Sequence, residues 1–244
     1  MIQKYSCPMH QFYAPNILES KQLPEEESQH AVRVLRLKEG DNIEVIDGKG
    51  IKYLCRITLA HPKRCMLEIE GSTEVPNHWK CNVVIAVAPT KNLDRMEWMA
   101  EKITEMGVDR IIPLRCRYSE RKELKTERLK KILVAAMKQS LKAVLPEIDE
   151  MTPVTDIIKM DFSGQKFIAY CDRDIERHLL TEKYSSGRNA LILIGPEGDF
   201  SKEEIRLALD NGFIPVSLGD SRFRTETAAM FACSVIHVKN QIKI

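Results

Sequence analysis

Arg222 and Arg224 stand where a helix is least hospitable to positive charge. They lie in Leu218–Ala229, Leu-Gly-Asp-Ser-Arg-Phe-Arg-Thr-Glu-Thr-Ala-Ala, between an apolar strand and a predicted helix. The first-turn N–H groups of a helix carry positive partial charge, so Thr225 as N-cap and Glu226 in the first turn suit that end without any functional role. The arginines do not, and a guanidinium fork there suits an anionic visitor or a carboxylate partner. A second loop of interest is Leu191–Ile205. Its apolar run, Ala190–Ile194, is broken by Gly195, Pro196, Glu197 and Gly198, and Ser201 with Glu204 then forms a capping box that starts a helix near Lys202. A buried parallel strand that ends in a glycine loop opening a helix is a common place to hold a small ligand. The missing side chain at Gly195 or Gly198 would let a cofactor lie against bare backbone. The same pattern also serves as a plain strand-to-helix turn.

The rest of the sequence narrows the chemistry. The six histidines are scattered, and none sits at ligand spacing with Cys or Asp, so no metal centre is expected. The seven cysteines, at 7, 55, 65, 81, 116, 171 and 233, are odd in number, far apart and without a CxxC pair. That pattern fits neither a disulfide framework nor a zinc site, and reduced thiols in a cytoplasmic protein are expected. No Walker A sequence, GxGxxG or GxSxG is present. No apolar run approaches the ~20 residues that cross a bilayer, and the N-terminus lacks the pattern of a signal peptide. Net charge is only +2, yet Lys91–Lys142 holds fourteen Lys and Arg against eight Asp and Glu. A positive face there would suit a phosphate-bearing partner, and it would equally be a solvated helix surface.

The elements that position these loops change rhythm near residue 75. Before it, Glu25–Leu37 has helical spacing at Ala31, Val34 and Leu35, with His30, Arg33 and Arg36 available as a basic edge or simply as a surface. Strands are predicted at Ile43–Asp47, Ile51–Leu59 and Cys65–Glu70, the first two joined at Gly48-Lys49-Gly50. Pro76 and Asn77 mark a domain boundary, giving a β-rich module over 1–75 and a second domain over 76–244. The second alternates. Strands are expected at Val83–Ala88, Arg110–Leu114, Lys166–Cys171, Ala190–Ile194 and Ile214–Leu218. Helices are expected at Leu93–Met106, Thr126–Leu145 and about Glu226–Asn240, the last with Ala228, Ala232, Val235 and Val238 near one stripe. That rhythm means an α/β fold with a mostly parallel sheet covered by helices.

Taken together, Ile194-Gly195-Pro196-Glu197-Gly198 with Ser201-x-x-Glu204, then Leu218-Gly219 and Arg224-Thr225-Glu226-Thr227-Ala228, closely resemble the SPOUT methyltransferases. The specific resemblance is to the bacterial small-subunit ribosomal RNA methyltransferase E family, which methylates uridine N3. Lys91 with Arg95-Met96-Glu97, Glu101–Val108, Gln139-Ser140 and Val34-Leu35-Arg36 resemble further family segments. The chain departs from the pattern at Asp199, where a second glycine is usual, at Leu141-Lys142-Ala143 after the family's EQSG segment, and at Asp220-Ser221.

The resemblance implies a PUA-like β-barrel for RNA, followed by an α/β domain with a deep trefoil knot and S-adenosylmethionine as cofactor. Its cofactor residues would be Cys171, Ile194, Gly195, Pro196, Glu197, Gly198, Leu218, Gly219, Phe223, Arg224 and Thr225. His30, Arg33, Arg36, Lys91, Arg95 and Arg222 would face 16S rRNA or the small ribosomal subunit. Arg224 would stabilise a negative uracil and Glu197 would take its N3 proton, although a hydrogen bond shaping its own loop also explains Glu197. A homodimer is implied, with the last helix and the helix after Gly198 as candidate contacts. A non-catalytic ribosome-assembly factor on the same fold is the alternative.

Overall fold

The computed structural model describes residues 10–171 and 176–242; Cys7 lies outside them. The chain forms two compact units, residues 1–78 with 137–145, and residues 79–136 with 146–244. The return of 137–145 to the first unit is an excursion that a single cut at residue 75 does not include.

In the first unit, β1 (Gln11–Tyr13), α1 (Ile17–Ser20), α2 (Glu25–Gln29), β2 (Asn42–Ile46), β3 (Ile51–Leu59) and β4 (Met66–Glu74) follow one another. The strands form one sheet in the order β1-β2-β3-β4, parallel at β1–β2 and antiparallel thereafter. Asp47 shapes the β2–β3 turn, its Oδ1 accepting from the N–H groups of Lys49 (2.8 Å) and Ile51 (3.1 Å). Phe12, Ile17, Leu23, Ala31, Ile43 and Ile57 are fully buried behind the sheet. The helix expected over Glu25–Leu37 changes character. After α2 the chain winds into a π-helix, His30–Val34, with Leu35 N–H bonded to His30 C=O, and Arg36 ends it at φ +57°. Wider winding alters which side chains share a face, so Val34, expected on the apolar side, is 65% exposed.

The second unit contains β5 (Val83–Val87), α3 (Leu93–Met106), β6 (Arg110–Arg115), α4 (Glu127–Gln139), β7 (Glu147–Ile148), β8 (Thr152–Pro153), α5 (Val154–Lys159), β9 (Gln165–Ala169), β10 (His178–Leu179), α6 (Leu180–Lys183), β11 (Ala190–Ile194), α7 (Lys202–Asp210), β12 (Ile214–Ser217) and α8 (Thr225–Gln241). Its sheet is parallel throughout, in the order β10-β12-β9-β11-β5-β6-β7, with β8 also paired to β6. β5 and β11 lie side by side at the centre, and all ten of their residues are buried. Continuous apolar runs are what a strand covered on both faces requires.

Helix ends follow local chemistry. Asn92 caps α3 by accepting from Asp94 N–H (2.9 Å), and Gly107 closes it at φ +122°, where a Cβ would lie 2.7 Å from the Trp79 ring. Ser201 and Glu204 complete the expected capping box of α7. α4 ends at Gln139, six residues before the expected Leu145. Lys142 N–H returns to Met137 C=O (3.0 Å) and Leu141 N–H to Lys138 C=O (3.1 Å), with Leu141 left-handed at φ +57°. Those paired bonds terminate a helix, and they do so here without the usual glycine. α8 buries Ala229, Ala232, Cys233, Val235 and Ile236, while Val238 is 51% exposed and Ala228 half-buried. Apolar residues on most sides of this helix left periodicity unable to choose its buried face.

Candidate functional site

The sheet order decides where the loops meet. β12, β9 and β11 are consecutive neighbours and run in one direction, so the segments that follow them leave the same edge together. They enclose a cavity of about 300 Å³. Its lining includes Cys171 after β9, Ile194, Gly195, Pro196 and Glu197 after β11, and Leu218, Gly219, Phe223, Arg224 and Thr225 after β12. Arg222, expected toward RNA, also lines it. The cavity lies outside the carboxyl ends of parallel strands, the usual position for a ligand in such sheets.

The glycines divide their roles differently from the expectation. A Cβ on Gly195 would meet the Phe200 ring at 3.1 Å, and one on Gly198 would meet Tyr118 Cβ at 3.1 Å. Those two positions are small because protein packs against them, and Gly198 does not line the cavity. Gly219 is the glycine that exposes bare backbone: at φ +116°, a Cβ there would find nothing within 4 Å.

The walls are tied to one another. Asp199 sits at φ +64°, the left-handed region that glycine occupies freely. Its carboxylate offsets part of that strain, since Oδ2 accepts from Cys171 N–H (2.8 Å) and Oδ1 from Phe200 N–H (2.9 Å). The first of these bonds joins the β9 and β11 loops. Thr225 joins the β11 loop to α8. It is not the N-cap: Arg224 occupies that position, without a side-chain cap bond, and Thr225 is the first helical residue. Its buried hydroxyl instead donates to Gly195 C=O (3.1 Å). Arg177, which the sequence did not single out, also lines the cavity and donates through Nη1 to Tyr170 C=O (2.5 Å).

Charge at the rim comes from exposed side chains. Glu197, Arg222 and Arg224 are exposed, and none of their side chains has a hydrogen-bond or ion-pair partner among the described residues. Behind them Glu226 is buried; its Oε1 lies 3.7 Å from Arg95 Nε, while Oε2 is enclosed without a hydrogen-bond partner among the described residues. Arg95 is thus half-buried against a carboxylate, whereas Lys91 is exposed and pairs with Glu120 at 3.6 Å. His30, Arg33 and Arg36 are all exposed in the first unit, on and just after its π-helix.

A further loop, Cys116–Arg121 after β6, borders the cavity wall. Glu204 supports it: one carboxylate oxygen completes the α7 cap by accepting from Ser201 N–H, and the other accepts from Arg117 N–H, both at 2.8 Å. Burial pushes the Cys116 thiol up to about 12, with the Glu204 charge adding to the effect. Among the described residues no group of three or more His, Cys, Asp or Glu is placed to hold a metal ion, and no helix is long and apolar enough to cross a membrane.

Residues 77–237 match the family described as RNA methyltransferase domain, and residues 23–70 match the RNA methyltransferase PUA domain. A probable rRNA-methyltransferase from Porphyromonas gingivalis shares the fold with a TM-score of 0.91 and 43% identity, over 95% of this chain and 98% of that one. The ribosomal RNA small subunit methyltransferase E of Neisseria gonorrhoeae, solved bound to S-adenosyl methionine, aligns with a TM-score of 0.82 and 28% identity, over 94% of this chain and 97% of that one. The Bacillus subtilis protein of the same name is 26% identical over 230 residues, 89% of each chain.

Proposed function

The chain belongs to the RNA methyltransferase family, and from that premise we propose that it methylates N3 of a uridine in the 16S rRNA of the small ribosomal subunit, using S-adenosylmethionine. The observation that carries this reading is the convergence of three loops, from three neighbouring parallel strands, on one cavity rimmed by Arg222, Arg224 and Glu197.

The residues present fit the cofactor. The cavity, about 300 Å³, is at the lower end of ligand-pocket sizes, roughly 300–1,000 Å³. Apolar Ile194, Val216, Leu218 and Phe223 line it, and Gly219 presents unscreened main chain beside open space. When bound, S-adenosylmethionine supplies a sulfonium methyl already activated for transfer. The chain's own tasks are then alignment and charge. Cys171, Ile194, Gly195, Pro196, Leu218, Gly219, Phe223 and Thr225 hold the cofactor, with Asp199 and Thr225 fixing the loops that carry them. The N3 proton of uridine must leave as N3 becomes bonded to carbon. Glu197, exposed at the rim and without a loop-shaping bond among the described residues, accepts it. Arg224 faces the negative charge that this loss places on the uracil, and Arg222 stands beside it.

The rest of the reading follows from the same premise. His30, Arg33 and Arg36 in the PUA unit and Lys91 and Arg95 in the catalytic unit contact the RNA. The catalytic unit is knotted, and the protein acts as a cytoplasmic homodimer, with exposed Val238 and Ile242 of the C-terminal segment available to a second copy. The test is radiolabelled methyl transfer to 16S rRNA and to small subunits, with mass spectrometry of the digested nucleosides. N3-methyluridine is the expected product. Arg224→Ala should slow transfer by on the order of 10²–10³-fold, and near-normal transfer by that variant would remove Arg224 from the mechanism.

A further inference from the structure

The loop Cys116–Arg121 is held more firmly than a connecting loop needs to be. Cys116 N–H donates to Ser119 Oγ (2.9 Å), Ser119 N–H to Cys116 C=O (3.2 Å), and Arg117 N–H to Glu204 (2.8 Å). Arg121 Nη2 donates to Lys91 C=O (2.8 Å). Yet this fixed main chain presents an aromatic ring to solvent: Tyr118 is 50% exposed, and its Cβ lies against Gly198 at the edge of the cavity wall. Burying that ring would be favourable, and nothing among the described residues covers it.

The surroundings are positive. From Arg115 to Lys125 the chain carries five Arg and Lys against Glu120 and Glu123. Arg115, Arg117 and Lys122 are exposed, and Glu120 is partly neutralised by Lys91 at 3.6 Å. The carboxyl of Glu203 on α7 is held below its ordinary value chiefly by local hydrogen bonds, with the charge of Arg117 contributing. An exposed ring on a rigid support, interleaved with cations, is the arrangement that receives unpaired nucleotides: bases stack on the ring while the backbone follows the positive charge.

We propose that this loop is a docking surface for single-stranded RNA beside the methylation cavity, with Tyr118 stacking on a base that neighbours the target and Arg117 and Lys122 meeting its phosphates. The proposal rests on the reading of the protein as an RNA methyltransferase and adds to it the residue that positions the strand. Tyr118 does not line the cavity, so it affects the RNA and not the cofactor.

The experiment compares the wild-type protein with Tyr118→Ala, Tyr118→Phe and Arg117→Ala. Calorimetry gives the affinity for S-adenosylmethionine, fluorescence anisotropy the affinity for a labelled uridine-rich single-stranded oligoribonucleotide, initial rates the kcat and KM for rRNA, and sedimentation the oligomeric state. Tyr118→Ala should weaken RNA binding and raise the RNA KM about ten-fold, within the worth of one stacked base. Cofactor affinity and sedimentation should not change, and Tyr118→Phe should stay within about two-fold of wild type because the ring, not the hydroxyl, stacks. Arg117→Ala should weaken RNA binding and flatten its salt dependence. RNA affinity of Tyr118→Ala within two-fold of wild type would overturn the proposal. So would equal losses for Tyr118→Phe and Tyr118→Ala, or a change in sedimentation that marks the loop as a contact between copies. If the wild-type protein transfers no methyl group, the functional reading fails; the anisotropy comparison still decides whether Tyr118 holds RNA.

Discussion

Replacing Asp199 separates two opposing contributions at one residue. Its left-handed backbone costs a residue with a Cβ about 1–2 kcal/mol, less for Asp than for most. Its carboxylate accepts from Cys171 N–H at 2.8 Å and Phe200 N–H at 2.9 Å. Hydrogen bonds to a charged group are worth about 1.5–3 kcal/mol; since Asp199 is only half-buried, about 1 kcal/mol each is a fair discount. Asp199→Ala loses both bonds and keeps the strained backbone, so it should lose about 2–3 kcal/mol of stability. Asp199→Gly loses both bonds and relieves the backbone, so its loss should be smaller by about 1 kcal/mol. Asp199→Asn keeps one acceptor and tolerates the conformation, and should lose least. Urea unfolding gives the order and calorimetry the cofactor affinity. That affinity should fall about ten-fold in Asp199→Ala, as expected if about 1.4 kcal/mol of the lost tie was holding the cavity wall. An Ala variant as stable as the Gly variant would refute the backbone argument. Unchanged cofactor affinity in both would refute the idea that this carboxylate fixes the wall.

Three further outcomes are expected. Leu141→Gly should raise stability by about 0.5–1 kcal/mol, the relief of a left-handed, 64% exposed leucine less the entropy glycine adds to the unfolded chain, and thermal unfolding checks it. Cys171 is exposed in the cavity while Cys55, Cys65, Cys81, Cys116 and Cys233 are buried, so among these iodoacetamide should modify Cys171 first; saturating S-adenosylmethionine should slow that labelling, and an unchanged rate would place the cofactor elsewhere. The folded Cys116 thiol ionises near 12 against an ordinary 9, so the unfolded chain loses this proton first as the medium becomes alkaline. Its contribution is complete below pH 9 and is lost between pH 9 and about 12; Cys116→Ala should flatten the alkaline limb of a stability-against-pH curve.

What could be read from the sequence was what neighbouring residues decide among themselves. β11 has the expected bounds because five consecutive apolar residues, closed at once by Gly195 and Pro196, suit a doubly covered strand, and α3 has them because Asn92 and Gly107 punctuate it locally. The capping box of α7 is a four-residue motif and forms as written. Misreadings arose where the deciding partner is distant in the chain. Gly198 is small because of Tyr118, eighty positions earlier, and Thr225 gives its hydroxyl to Gly195 instead of to its own helix. The sequence carries the α4 pattern on to Leu145, but a main-chain closure at Leu141 ends the helix first, in a conformation a leucine rarely takes. The place of Arg177 at the cavity carries no periodic or motif signal at all. At Asp199 the departure from the family's glycine was visible; its compensation by the Cys171 N–H was not.

The three neighbouring strands that end at the cavity also fix when, during synthesis, it can exist. The connection between β12 and α8 supplies Leu218, Gly219 and Arg224, and it leaves the ribosome after β5, β6, β9 and β11. A nascent chain that has already folded its N-terminal unit and laid down β5, β6, β9 and β11 therefore has two walls of the cavity and lacks the third. A polypeptide that stops before β12 would keep most strands of the sheet and lack that wall of the cavity.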